Sequence, residues 1–230
     1  IARGKRASFS ELEALAAQAQ EGYRVLGFKP GDVVLLMHPL SLELYAHILA
    51  ILGLGGTMML VEPWMHPTKI QTLIEKMKPK FFFSNGMGKL WGLRLPAVRK
   101  IAHWKIPFRE TNSGLTTLTV EPNTPAILTF TSGSTGIPKG VVRNHGYLAE
   151  QVRVLSKACH LDQFTGNELC IFANFVLLNL ATGRGSIVLS PQWKMSELDW
   201  VATLPVEERP VSLTCGPGFL EHFLKGPVHT

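Results

Sequence analysis

Between Asp32 and Asn85 short apolar runs alternate with stretches of helical period, and no other feature of the sequence restricts the fold as much. "DVVLLMHP" reads as a buried strand closed by Pro39, and "SLELYAHILAILGLGG" restores a helical repeat that ends in glycines. "TMMLVEP" is the next strand, "HPTKIQTLIEKMKP" the next helix and "KFFFSN" the strand after it. Strands that alternate with helices at these lengths predict a parallel, doubly wound α/β sheet. Ahead of them, "SFSELEALAAQAQEGYRVLGFKPGD" predicts a helix capped by Ser10, with Leu12, Leu15, Ala16 and Ala19 on one face.

After Asn85 the pattern blurs, and "GMGKLWGLRLPAVRKIAHWKIP" reads as a helix followed by a strand. "RETNSGLTTLTVEPNTP" is a polar connection. From Ala126 the order is "AILTFT", a turn, "KGVVRNH" and a helix "GYLAEQVRVLSKACH". The later runs "ELCIFANFVLLNLATG", "SIVLSPQ" and "VSLTCGP" supply helix and strand elements of a second α/β unit.

Composition narrows the function classes. With 46% apolar and 17% charged residues in 230, the chain is expected to be soluble and globular, not disordered. Its 23 Lys and Arg against 17 Asp and Glu give +6, but the clusters Arg3–Lys5–Arg6 and Lys76–Lys78–Lys80 lack interleaved aromatics that would stack on bases. Nucleic acid is therefore not expected as a partner, whereas an anionic small molecule is compatible. Cys159, Cys170 and Cys215 form no CxxC, so neither a disulfide framework nor a metal site is expected, and a reducing cytoplasm fits. The apolar region from Leu42 to Val61 carries Glu43 and His47, and the run Ile171–Thr182 is too short for a bilayer, so no transmembrane segment is expected. No signal peptide is expected either.

The stretch "TFTSGSTGIPKGVV", residues 129 to 142, concentrates hydroxyls and glycines between two apolar runs. Glycines let consecutive amides point at one anion, hydroxyls add donors, and Lys139 adds a positive charge, which together suit phosphate. A flexible hairpin turn has the same composition. The order is not that of a Walker A loop, because Pro138 precedes the lysine and Gly140 follows it, nor does it contain G-x-G-x-x-G.

From Thr131 to Gly140 the order resembles the signature [ST]-S-G-[ST]-T-G-x-P-K-G of the adenylate-forming, AMP-binding superfamily, and all ten positions agree. The segment from Phe9 to Pro63 is similar to the amino-terminal region of the same enzymes, and "FANFVLLNLATG" and "PGFLEHFL" look most like acyl-CoA synthetases and olefin β-lactone synthetases, less like amino-acid-activating domains. The resemblance implies the layered, doubly wound α/β sheets of that family's N-terminal domain, incomplete here. It implies a first subdomain over 29–165 that carries the loop, part of a second from 1–28 and 166–230, and no C-terminal lid domain.

The implied chemistry is attack of a carboxylate on the α-phosphorus of ATP with Mg²⁺, then transfer of the acyl group, often to coenzyme A. Thr131, Ser132, Gly133, Ser134, Thr135, Gly136 and Lys139 would hold the β- and γ-phosphates and stabilise charge on the departing pyrophosphate. His145 stands where relatives place a histidine near the acyl or nucleotide site, with a helix-capping or half-buried histidine as the other reading. Arg143 beside it is a second phosphate contact or a solvated side chain. Phe172 occupies the aromatic position of a P-x-F-H motif in which Cys170 and Ala173 replace proline and histidine. Phe172, Asn174 and Phe175 are thus pocket wall or plain core, and a fatty or other hydrophobic acid is the implied substrate.

The family's aromatic-Gly-x-Thr-Glu motif, ribose-binding aspartate and distal catalytic lysine are not found in the sequence, so the chain is expected to be a fragment or a truncated protein, inactive alone. Three readings stay open: an acyl-CoA synthetase, a β-lactone synthetase that works without coenzyme A, and a truncated, non-catalytic binding protein. An apolar substrate also makes peripheral membrane contact compatible.

Overall fold

The computed structural model describes residues 5–61, 65–131, 139–189 and 194–225. Helix α1 (Phe9–Val25) is capped by Ser8 and not by Ser10: the Ser8 hydroxyl accepts from the Glu11 amide at 3.2 Å, and the Glu11 carboxylate accepts the Ser8 amide at 2.7 Å. Ser10 and Glu13 have the same spacing, but the earlier box lets the helix add residues, each with its own hydrogen bond.

Strands β1 (Val33–Met37), β2 (Thr57–Leu60), β3 (Phe81–Ser84) and β4 (Pro125–Thr131) run parallel in the order β3-β1-β2-β4. Strand β5 (Lys139–Asn144) closes the edge antiparallel to β4. Alternation assigns the faces. Leu35, Met59, Phe82, Leu128 and Phe130 point to a core shared with helix α3 (Pro67–Met77) and with residues 95–101, which include helix α5 (Pro96–Arg99). On the other face Phe81 meets Tyr23 of α1, and Phe83 stacks on His47 of α2 (Leu42–Gly53) at 3.6 Å between ring centroids. Both faces are covered, as apolar parallel strands require.

Residues 85–104 depart from the helix-then-strand expectation. They form two short helices, α4 (Gly86–Gly92) and α5, and the segment expected as a strand makes one isolated bridge, His103 to Phe81.

Helix α6 (His145–Ala158) follows β5, and the division of the chain into two compact units falls within it. The unit from residue 150 onward, which also includes Lys5 and Arg6, has a parallel sheet of β6 (Asn167–Cys170), β7 (Ser186–Val188) and β8 (Pro210–Thr214), ordered β7-β6-β8. Helices α7 (Ala173–Ala181), α8 (Met195–Ala202) and α9 (Pro217–Lys225) accompany it, the last two unread in the sequence. Beside the apolar core of Leu169, Ile187, Leu189, Val201, Leu204 and Phe219 lies a buried ion pair, Arg184 to Glu168 at 3.5 Å. Arg184 also donates to Ser212 at 2.8 Å and Asn179 at 3.3 Å, and Thr214 donates to Glu168.

The expected grouping of residues 1–28 with 166–230 differs from what is observed. Residues 7–149 form one unit, because Tyr23 is fully buried against Phe28, His47 and Phe81 and so ties α1 to the first sheet. Only the residues before Ala7 group with the second unit, where Arg6 pairs with Glu208 at 2.8 Å. Among the described residues, no helix is long and apolar enough to cross a membrane.

Candidate functional site

Strands β4 and β5 form a hairpin whose ladder ends at the pair Thr131 and Lys139. The intervening Ser132, Gly133, Ser134, Thr135, Gly136, Ile137 and Pro138 lie outside the described residues, so the sequence reading of the loop rests on its two anchors. β4 is a strand because its apolar residues Ala126, Ile127, Leu128 and Phe130 are buried in the sheet. Lys139, the first residue of β5, is exposed, and no carboxylate lies within ion-pair reach of it among the described residues. An exposed ammonium at the mouth of a loop rich in hydroxyls and glycines suits the donor requirement of a triphosphate.

The register moves two other candidates away from that mouth. Asn144 stands opposite Pro125, at the far end of the hairpin. Six extended steps at about 3.3 Å place the start of α6 roughly 20 Å along the strand from Lys139. His145 is there, half-buried, its amide donating to the Thr124 carbonyl at 3.0 Å. Its Nε2 is buried without a partner among the described residues, and burial holds its pKa below the ordinary histidine value. The cap of α6 is Asn144, whose side chain accepts from the Tyr147 amide at 2.7 Å. Arg143 is half-buried and donates to the Thr129 hydroxyl at 2.7 Å, so it braces β5 on β4. Arg143, the candidate second phosphate contact, is thus engaged within the hairpin, and His145, read as an acyl- or nucleotide-site contact or as a half-buried histidine, is half-buried at its far end.

In the second unit Phe172 immediately precedes α7 and is 44% exposed, Asn174 is exposed and Phe175 is half-buried. These residues are therefore not core. The two rings lie 6.4 Å apart, and a Cβ on Gly216 would touch Phe172 at 3.7 Å. Phe172 follows the carboxyl end of β6 and Gly216 that of β8, the edge of a parallel sheet where ligand crevices form. Gly216 was not singled out in the sequence; its place just after a strand and before "PGFLEHFL" was the available signal. Cys170, the last residue of β6, is buried, which pushes its thiol pKa up to about 12 and leaves it inert. Among the described residues no group of three or more His, Cys, Asp or Glu gathers, so these residues alone offer no cage for Mg²⁺.

The family of AMP-binding enzymes matches residues 1–230. Nonribosomal peptide synthetase 30 of Fusarium vanettenii is 28% identical over 60% of this chain and 2% of its own length. The olefin β-lactone synthetase of Xanthomonas campestris is 25% identical over 79% of this chain and 35% of its own. Apo MatB of Rhodopseudomonas palustris, also solved with ATP bound, superposes with a TM-score of 0.76 at 20% identity, covering 98% of this chain and 47% of that one. The chain thus spans less than half the length of each of these relatives. Peptide synthetases figure among them, so the sequence's leaning away from amino-acid-activating domains is not upheld. The match along all 230 residues shows that the chain belongs to the AMP-binding, adenylate-forming enzymes.

Proposed function

We propose that these residues are the part of an AMP-forming acid ligase that receives the phosphates of ATP and supplies one wall of the acid's pocket. The observation that carries this reading is the ten-position motif Thr131–Gly140 held at the tip of the β4–β5 hairpin, with Lys139 exposed at its mouth. A carboxylate oxygen bonds to the α-phosphorus, the bond from that phosphorus to pyrophosphate breaks, and an acyl-adenylate results. Lys139 and the loop's hydroxyls and amides meet the charge that develops on the leaving pyrophosphate. Mg²⁺, entering with the nucleotide, neutralises phosphate charge when bound.

Phe172 and Phe175 favour a hydrophobic acid, and the thiol of coenzyme A is the acceptor, attacking the acyl carbon and releasing AMP. A second reading, closure of a β-hydroxy acid on its own acyl carbon, is favoured by the olefin β-lactone synthetase, whose similarity covers more of this chain than the peptide synthetase's does. His145, by its place at the far end of β5, acts as a structural residue in either case.

The test is pyrophosphate–ATP exchange by the longest natural polypeptide containing these residues, across acids of rising chain length and amino acids. Exchange with long-chain acids is expected, and Lys139→Ala lowers it by roughly tenfold or more, the loss of one charge-assisted contact. Exchange with amino acids alone would sink the hydrophobic-acid reading. Undiminished exchange in the variant would remove Lys139 from the site.

A further inference from the structure

Helix α4 is seated the wrong way round for a helix of a water-soluble surface. At 100° per residue Gly88 and Gly92 share one face, and that face is the one turned to the sheet. A Cβ on Gly92 would lie 3.1 Å from the Phe82 ring and 3.2 Å from Val98. One on Gly88 would collide with the Ser84 hydroxyl and lie 2.7 Å from the Met37 carbonyl oxygen. Trp91 joins the glycines on that face and packs against the core, but the other large apolar residues stand elsewhere on the helix. Met87 is 79% exposed, Leu90 67%, and Leu93 just beyond it 50%. An amphipathic helix that packs on a core has the opposite arrangement.

Charge collects on the same segment. Ten of the chain's 23 Lys and Arg, but only two of its 17 Asp and Glu, fall within residues 67–110, which leaves 13 basic against 15 acidic residues elsewhere. The whole positive balance of the protein therefore resides in this one stretch. Arg94, Arg99 and Lys100 are exposed on and beside α5, which packs with α3 and α4 against the same sheet face. In residues 67–110 only Lys80 has a carboxylate within ion-pair reach among the described residues, its partner being Asp32.

We infer that α4 is a docking element for an anionic membrane surface, Met87, Leu90 and Leu93 entering the acyl boundary and the basic side chains meeting the headgroups. Exposed aliphatic tips with a basic collar fit lipid, since acyl chains accept them and anionic headgroups attract the collar. They suit nucleic acid less well: Trp91 and Trp104, the tryptophans nearby, are half-buried and packed against the core, so neither presents a free face on which bases could stack. The inference does not depend on the adenylation chemistry, and its readout is independent of activity.

The experiment is co-sedimentation of the 230-residue chain with vesicles of phosphatidylcholine alone and with about 30 mol% phosphatidylglycerol, at low salt and at about 0.5 M NaCl. Binding to the anionic vesicles only, lost at high salt, is expected. Met87→Ser with Leu90→Ser, and separately Arg94→Gln with Arg99→Gln and Lys100→Gln, each weaken it about tenfold or more. Unchanged thermal unfolding of these surface variants shows that they remain folded. Absence of anionic-vesicle binding overturns the inference, as does binding that the serine pair leaves intact, which would be unspecific attraction of a basic protein. Concentration-dependent self-association abolished by the serine pair, without vesicle binding, would make α4 a protein interface instead and also overturns it.

Discussion

His47 offers a sharp test of how the first unit is held together. The imidazole is fully buried between Phe83 and Phe108, with Nδ1 hydrogen-bonded to the Tyr23 hydroxyl at 3.0 Å and Nε2 unpartnered among the described residues. Burial above all, with His38 lowering it too and Glu43 opposing, holds its pKa at about 3. The unfolded chain, at an ordinary histidine value near 6.5, takes up the proton first as pH falls. Stability contributed by the neutral ring is thus complete above about pH 6.5 and lost progressively towards pH 3. For these two values the loss between pH 7 and pH 5 is about 2 kcal/mol, approaching 5 kcal/mol over the whole window. The perturbation is the double variant His47→Leu with Tyr23→Phe, which removes both buried polar groups together. Either change alone strands the other group and costs about 1–3 kcal/mol at neutral pH. Urea unfolding at the two pH values, read from Trp64, Trp91 and Trp104 with Trp193 and Trp200 replaced by Phe, isolates the unit of interest. His145, whose pKa burial also lowers, remains in both proteins and drops out of the difference. A loss between pH 7 and pH 5 as large in the double variant as in the parent would refute the assignment.

Breaking the buried pair by Glu168→Gln or Arg184→Met is expected to destabilise the second unit by about 3–5 kcal/mol, with part recovered when both are replaced together, as thermal unfolding of each variant would show. Iodoacetamide at pH 8 should label exposed Cys159 in the native protein and spare Cys170, which peptide mass spectrometry resolves; equal labelling would contradict the burial described. Gly88→Ala forces a methyl against the Met37 carbonyl and is expected to cost about 1–3 kcal/mol by urea unfolding, whereas no measurable cost would mean that α4 is not seated as described.

The first sheet was legible because its strands are apolar runs and its helices repeat at 3.6 residues, so Val33–Met37, Thr57–Leu60 and Phe81–Ser84 fall where the periodicity puts them. Helix α4 was harder, since its inward face is two glycines and Trp91 while its aliphatic residues Met87 and Leu90 point outward. The Glu168–Arg184 pair joins residues sixteen apart across separate elements, and no local pattern announces such a contact. At the site, the order of residues identified the loop, but spacing alone could not tell that His145 lies beyond a fully extended strand while Lys139 stands at the mouth. Phe172 and Asn174 looked like core in a run of apolar neighbours, and only the end of β6 explains why they face outward.

The antiparallel edge strand has a consequence for how the loop can vary. Because Thr131 and Lys139 are paired across one ladder step, the loop's two ends are pinned about 5 Å apart by the sheet itself. The entropy of closing the loop is therefore settled by strand pairing, before any ligand arrives. A sequence can exchange, lengthen or shorten the seven residues between those posts and leave the frame intact. The hairpin is in this sense a socket of constant bore, and new ligand preferences can be fitted into it without renegotiating the fold.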